Sequence, residues 1–383
     1  MHAMIRRAAT AAVTTAAFAA AAPAAQAQAV QWSQVSAGPM STCAVQTGHT
    51  LWCWGSGFQG ELGDGSSASH YSPVRVAGPA RWTQVAVGEV HACAIRKDGS
   101  AWCWGNGGSG ELGDGVPGSA DSPVQVTGGG DYTAISGAGD TDCAIRADGT
   151  LWCWGANYAG QLGNGTTSNA LSPVQVGTAA DWTQVSAGFG TVCGVQSDGS
   201  AWCWGYGIGG ELGNGTRTSS LTPVEVSGGD VWASVSAGDE SACGIQAGGT
   251  LWCWGANSRL EIGKPGRTNV YPSPTQVGTK TGWTHVSADE TACALRGATS
   301  LWCWGADWAG QLGRGASGGN IPAPGQVGTS YNWIRVSSGS DPNQEAVCGI
   351  MRGWSLWCWG DNLNGQLGLG TAGGFQDSPQ QVS

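Results

Sequence analysis

Apolar side chains come in short alternating runs along this chain, separated by clusters of Gly, Asn, Asp and Ser. One run, Leu51-Trp52-Cys53-Trp54-Gly55, returns as Leu or Ala followed by Trp-Cys-Trp-Gly, starting at residues 51, 101, 151, 201, 251, 301 and 356. Self-similarity at this period predicts an array, a solenoid or a propeller, although 383 residues would otherwise suggest two or three domains. Residues 131–176 show one whole unit. A W-x-x-V-S-A-G segment (Tyr132 replaces Trp here) leads into a cysteine segment. W-C-W-G follows, then a long loop carrying G-Q/E-L-G, and P-x-x-V closes the unit. Each segment has the length and alternation of a strand, which makes four strands per unit, and helical periodicity is nearly absent.

Alternation also decides how the units pack. Leu51 and Cys53 point to one side of their strand, Trp52 and Trp54 to the other. Both sides are apolar, so both need cover, and a sheet held between two others supplies it. Blades stacked around an axis meet that need. Of the 22 tryptophans, all but Trp308 and Trp354 occupy repeated positions, which assigns them to the core between blades.

The 14 cysteines form seven pairs ten residues apart: Cys43/Cys53, Cys93/Cys103, Cys143/Cys153, Cys193/Cys203, Cys243/Cys253, Cys293/Cys303 and Cys348/Cys358. Between Cys93 and Cys103, Lys97-Asp98-Gly99 suits a three-residue hairpin loop, with Gly in the left-handed region. Counting outward pairs Arg96 with Ser100, Ile95 with Ala101 and Cys93 with Cys103. The last is a close, non-hydrogen-bonded pair that a disulfide can span. Free buried thiols and metal binding are the alternatives. Zinc sites favour C-x₂₋₄-C with a second ligand pair nearby, which these spacings lack.

Residues 1–29 differ from the rest. Arg6 and Arg7 precede an alanine-rich apolar stretch that ends in small-residue sites at Ala27 and Ala29, as in a secretory signal peptide. Cleavage is expected near either alanine, giving an exported chain in which disulfides persist. No later stretch is apolar for long enough to span a bilayer.

The units "CAIRADGTLWCWGANYAGQLGNGT" and "WTQVSAG" resemble repeats of the regulator of chromosome condensation family over residues 31–383. The resemblance implies an all-β fold: a seven-bladed β-propeller of four-stranded antiparallel blades, here with one disulfide-stapled hairpin per blade. Repeats are expected near 31–78, 79–128, 129–178, 179–228, 229–279, 280–330 and 331–383. The family has secreted bacterial members, an inhibitor protein of β-lactamases among them. The cysteine pairs lie outside the general family pattern. Repeat five also departs from it, reading "LEIGKPGRTNV", and repeat seven gains "SDPNQE". The chain runs from a strand-one motif to a strand-four motif, so whole units can close the ring. Closure by strand exchange stays open as well.

In such a fold the loops between strands one and two share a face with those between strands three and four. The residue three places after the W-C-W-G glycine is Phe58, Gly108, Tyr158, Ile208, Ser258, Trp308 or Leu363. Phe58, Tyr158, Ile208, Trp308 and Leu363 are candidate anchors for a protein partner; filling of the blade tops is the alternative. The other loop set is acidic: Glu89, Asp140, Asp142, Asp239, Glu240, Asp289, Glu290, Asp341 and Glu345. Loss of Arg6 and Arg7 with the leader leaves 14 basic residues against 26 acidic ones. That balance argues against nucleic acid and for a basic protein partner, with solubility as the plain alternative.

No catalytic motif is legible. His49, His70, His91 and His285 fall at unrelated repeat positions, and neither G-x-S-x-G nor H-E-x-x-H occurs. No catalytic residue, cofactor or metal is assigned. Three readings follow: a monomeric, secreted protein-binding propeller, an enzyme inhibitor being one version; a structural or cell-surface module; or an enzyme using the propeller mouth. The first is the expectation, because variable loops on a rigid scaffold commonly carry binding.

Overall fold

The computed structural model describes residues 30–78, 81–267, 269–297, 299–329, 332–339 and 345–383. The expected signal peptide and most of the repeat-seven insertion lie outside them. Seven four-stranded antiparallel sheets follow one another, each built of four consecutive strands. In blade one these are β1 (Trp32–Ala37), β2 (Ser41–Gln46), β3 (Leu51–Gly55) and β4 (His70–Arg75). The ring therefore closes on whole repeats, without strand exchange.

Each second-to-third strand hairpin has the register the cysteine spacing predicts. Ile95 faces Ala101, Cys93 faces Cys103, and the Arg96 amide donates to the Ser100 carbonyl at 2.9 Å. Gly99 takes φ +80°, as the loop requires. All seven expected disulfides are present, one per hairpin. Their Cα atoms lie 4.1 Å apart in Cys43–Cys53, Cys143–Cys153, Cys193–Cys203 and Cys348–Cys358. The separation is 4.0 Å in Cys93–Cys103 and Cys243–Cys253, and 4.2 Å in Cys293–Cys303. In every blade the two cysteines are direct partners across the strand pair, the last two pairs being Cys293 opposite Cys303 and Cys348 opposite Cys358. The free-thiol alternative therefore falls: no cysteine among the described residues is unbridged.

The two faces of each blade bury different things. Between blades one and two, the first blade supplies the Cys43–Cys53 disulfide, Leu51, Leu62 and Val76. The second supplies Trp82, Val85, Ala94 and Trp104. The same pairing recurs at every seam, including that between blades seven and one. The two tryptophans of W-C-W are not equivalent. Trp54 and its counterparts are fully buried, whereas Trp52 is half-buried and donates its indole N–H to Thr50 Oγ1 at 3.0 Å.

The buried indole clasps the preceding blade. Trp104 Nε1 donates to the Glu61 carbonyl at 2.9 Å, Trp154 to Glu111, Trp204 to Gln161, Trp254 to Glu211, Trp304 to Glu261 and Trp359 to Gln311. Trp54 completes the ring by donating to the Gln366 carbonyl at 2.8 Å. These acceptors are the Q/E of G-Q/E-L-G, which explains the motif. Its Leu fills the seam. Its last Gly has no room for a Cβ, which at Gly213 would sit 2.7 Å from Trp254 Nε1. Its Q/E side chain turns back to cap the loop, as Gln161 Oε1 does for the Ala159 amide at 2.9 Å. Repeat five puts Leu260 where the others have Gly60 or Gly160, and Leu260 accepts the strained φ of +70°.

The innermost strands present a raw edge to the central channel, an arrangement folded sheets avoid. Side chains of the preceding blade cover it. Gln34 Nε2 donates to the Val85 carbonyl at 2.8 Å, while its Oε1 accepts from the Val85 amide at 2.7 Å. Ser36 Oγ accepts from the Val87 amide at 3.1 Å, and Ser337 Oγ from the Ala37 amide at 3.1 Å across the closing seam. The V-S-A of the repeat is thus an edge cap.

Two predictions follow from the clasp. Trp204→Phe leaves the buried Gln161 carbonyl without its donor and should cost about 1–3 kcal/mol in denaturant unfolding. Trp202→Phe should cost clearly less, because its N–H meets only Ser200 at the half-exposed rim. The second concerns Glu261, buried at a position where three other repeats carry Gln, as at Gln161, Gln311 and Gln366. Burial is the main cause that pushes its carboxyl up to about 8. The folded chain then holds a proton that the unfolded chain releases, so this group costs stability as pH rises from about 4.5 toward 8. Glu261→Gln should raise the melting temperature at pH 8 and leave it nearly unchanged at pH 4.5.

Candidate functional site

The two loop sets meet on one face because the backbone ties them together. The Ser56 amide donates to the Met40 carbonyl, Ala156 to Asp140, Tyr206 to Gly190, Ala256 to Glu240 and Ala306 to Glu290, all at 2.9–3.0 Å. Each tie brings the start of a long loop onto the turn between the first two strands of its blade. Variable side chains of both loops therefore share a surface carried by a cross-linked scaffold. The cross-links themselves stay out of reach. Cys53, Cys103, Cys153, Cys203, Cys253, Cys303 and Cys358 are all at 0% exposure, as are the cysteines they bridge to, so they stiffen the face without forming part of it.

Four of the five candidate anchors stand out from that face: Phe58 is 77% exposed, Leu363 59%, Tyr158 57% and Ile208 53%. Trp308 is half-buried, and the Arg259 guanidinium lies 4.8 Å over its ring. Arg259 also reaches Glu290 at 3.3 Å, so this anchor is already partly occupied. Tyr158 donates its hydroxyl to the Phe189 carbonyl at 3.0 Å, bringing it beside exposed Phe189, with Tyr206 close by around Gly190. Sequence reasoning passed over Phe189 and Tyr206. The signal for Phe189 was an aromatic at the loop position that holds Glu89 and Asp239 in other repeats.

The carboxylates divide by depth. Glu240 is exposed, and Glu89, Asp140 and Asp239 are half-buried. Asp289, Glu290 and Glu345 are buried, so they act on the face from beneath it. Asp341 lies outside the described residues. The groups feel one another. Partial burial, then Asp140, Asp239 and Glu89, push the Tyr158 phenol up to about 12. Burial raises Glu290 to about 7; Arg259 opposes this, while Asp239 and Glu240 add to it. Burial and then Asp289 hold Glu345 well above the usual carboxylate range, although its Oε1 accepts the Thr291 amide at 3.1 Å. The acidic field of the face is therefore carried by Glu89, Asp140, Asp239 and Glu240 on blades two, three and five, because burial makes Glu290 and Glu345 hold their protons more tightly.

Asp142 is not on this surface. It starts the second strand of blade three and meets His91 of blade two at 2.6 Å, with both side chains at 0% exposure. Burial pulls the His91 pKa down, but Asp142, joined by Glu111 and Asp140, outweighs it and the net shift is upward; burial raises Asp142. Cys93 lies within 4.8 Å of both, yet its sulfur is committed to Cys103, which leaves two ligands for any metal. A pair with no exposed surface offers no contact to a substrate, and its role is to join two blades.

Comparison with known proteins agrees with this architecture. The family model described as "Regulator of chromosome condensation (RCC1) repeat" matches residues 49–95, 148–195 and 198–245, and a second model of that description matches 82–111 and 232–259. No curated protein sequence matches the chain. Among solved structures, human WBSCR16 superposes with a TM-score of 0.77 at 18% identity, covering 87% of this chain and 94% of that one. Prp20p from Saccharomyces cerevisiae gives 0.77 at 18%, covering 92% and 87%. The CRINKLY WD40 ectodomain of the Arabidopsis thaliana receptor kinase ACR4 gives 0.51 at 19%, covering 90% and 98%. Identities this low speak for the fold alone. Seven disulfides fit an oxidising compartment, and no helix among the described residues is long and apolar enough to cross a membrane. The chain is a seven-bladed β-propeller that carries regulator of chromosome condensation (RCC1) repeats, matched over residues 49–111, 148–195 and 198–259.

Proposed function

We propose that this propeller is a secreted, monomeric protein-binding scaffold that engages an extracellular partner of basic surface through its loop face. The observation that carries the reading is the exposure of Phe58, Tyr158, Ile208 and Leu363 on one acidic surface. Large apolar side chains standing out of a rigid, cross-linked frame lose little freedom on binding, and aromatic anchors dominate protein interfaces. The carboxylates around Tyr158 attract a basic surface and speed its approach. A related use of the fold supports this: the Prp20p structure was described together with its binding to Gsp1p and histones, and yeast RCC1 has been solved bound to Kap60. Inhibition of an extracellular enzyme would be one form of such binding. Nucleic acid is disfavoured, because its phosphates would meet carboxylates.

The test is capture from the native extracellular medium by the immobilised mature chain. The double variant Tyr158→Ala/Leu363→Ala should lose the captured protein while its melting temperature stays within about 2 °C of wild type. The association rate should fall as salt rises. Equal capture by the double variant removes the loop face from the account. A large loss of stability would show that these side chains belong to the core.

A further inference from the structure

The central channel differs in chemistry from the rest of this acidic molecule. Its cavity of about 540 Å³ is lined by the first strands of the blades, and no Asp or Glu is among the lining residues. Two rings of side chains recur at fixed register. The ring nearer the loop face is Ser36, Ala86, Ser136, Ser186, Ser236, Ser287 and Ser337; the other is Gln34, Gln84, Ala134, Gln184, Ser234, His285 and Arg335. Gln34 and Gln184 show what the second ring does. Each gives its amide N–H to a carbonyl of the next blade and takes that same residue's N–H on its oxygen, as at Val85 and Val235.

Arg335 breaks this pattern. It stands opposite Ile350 as Gln34 stands opposite Val45, and the edge it should cover is that of Val35 in blade one. Val35 and Val85 share their register, opposite Ala44 and Ala94, so the Val35 N–H turns toward blade seven as the Val85 N–H turns toward blade one. A guanidinium has five donors and no acceptor. It cannot cap an N–H, so two donors face each other where the Gln34 and Gln184 seams pair donor with acceptor. Among the described residues, no hydrogen bond or ion pair engages the Arg335 side chain; the three close ion pairs are His70–Asp64, His91–Asp142 and Arg259–Glu290. The reciprocal cap is also missing at Ala134 and Ser234, at Gln84, which donates to the Thr133 carbonyl instead, and at His285, which meets only the Val336 carbonyl, but at none of these does a guanidinium stand against the edge. Arg335 is exposed, and it lines both the channel and an adjoining cavity of about 440 Å³ with Ser33, Gln34, His49, Thr83 and Gln84, again without a carboxylate.

We propose that the seam between blades seven and one binds a small oxyanion of the phosphate, sulfate or carboxylate class, between the Arg335 guanidinium and the Val35 amide. An oxyanion supplies the acceptors that both donors lack, and arginine pairs with such groups in bidentate fashion. The hydroxyls of the serine ring add to the site. Ser36 and Ser337 accept backbone N–H groups, which leaves their own protons free to point into the channel. The site lies at the channel, away from the acidic loops, and stands whether or not the loop face binds a protein.

The experiment is a phosphate titration of the full mature chain, read by ³¹P line broadening and by melting temperature. Sulfate and acetate serve as competitors, to rank the anions. Arg335→Gln restores the amide found at Gln34 and Gln184, so it should fold as well as wild type. It should bind phosphate about tenfold or more weakly and lose the phosphate-dependent rise in melting temperature. Arg335→Lys should retain part of the binding, and Arg352→Gln, in a blade-seven hairpin, should retain all of it. Absence of broadening in wild type overturns the proposal. So does equal binding by wild type and Arg335→Gln, or an equal loss in Arg352→Gln, either of which would mean diffuse attraction.

Discussion

One interaction organises the molecule: the buried indole N–H that each blade donates to a backbone carbonyl of the blade before it. A sheet with two apolar faces has no stable existence alone, so burial drives the blades together but says little about their relative position. The indole bond adds direction. From Trp104 to the Glu61 carbonyl, and on to Trp54 and the Gln366 carbonyl, it sets each blade against its neighbour. Removing such a donor leaves a buried carbonyl unsatisfied, a cost well above the net worth of an ordinary hydrogen bond. The disulfide behind each seam holds the other wall.

Closure follows from the same chemistry repeated once more. Many closed folds end by exchanging a strand, but this one ends with ordinary seam contacts made between residues far apart in sequence. Trp54 meets Gln366, Ser337 meets Ala37, and the Trp32 amide donates to the Trp354 carbonyl at 2.8 Å. Trp354, outside the repeat pattern, holds the turn position that Gly99 fills in blade two, at φ +68°. Closure draws on the constant G-Q-L-G part of the long loop, so the positions ahead of it are free to vary and to carry binding side chains.

Most of this fold was legible in the sequence because a repeat shows its constraints seven times over. Strand count, hairpin register, disulfide pairing from Cys43–Cys53 through Cys348–Cys358, and the buried tryptophans all came from spacing. The partner of the buried indole did not, since a backbone carbonyl leaves no mark on residue type; only the recurring G-Q/E-L-G hinted at it. The surface was legible in part. Phe58, Tyr158, Ile208 and Leu363 stand out as departures from a small, polar loop. The depth of Asp289 and Glu290 was not readable, because the repeat places a residue along the blade but not beneath its neighbours. Asp142 looked like a loop carboxylate, yet it sits at a strand position that holds Ala92 and Val192 in other repeats, which marked it as buried.

The most direct test of the clasp is hydrogen exchange of the indole N–H groups. The Nε1 protons of Trp54, Trp104, Trp154, Trp204, Trp254, Trp304 and Trp359 should exchange only through global opening, with Trp54 as slow as the rest, while those of Trp52 and its counterparts exchange faster. Rapid exchange at Trp54 alone would show an open seam between blades seven and one. Rapid exchange at all seven would contradict the clasp itself.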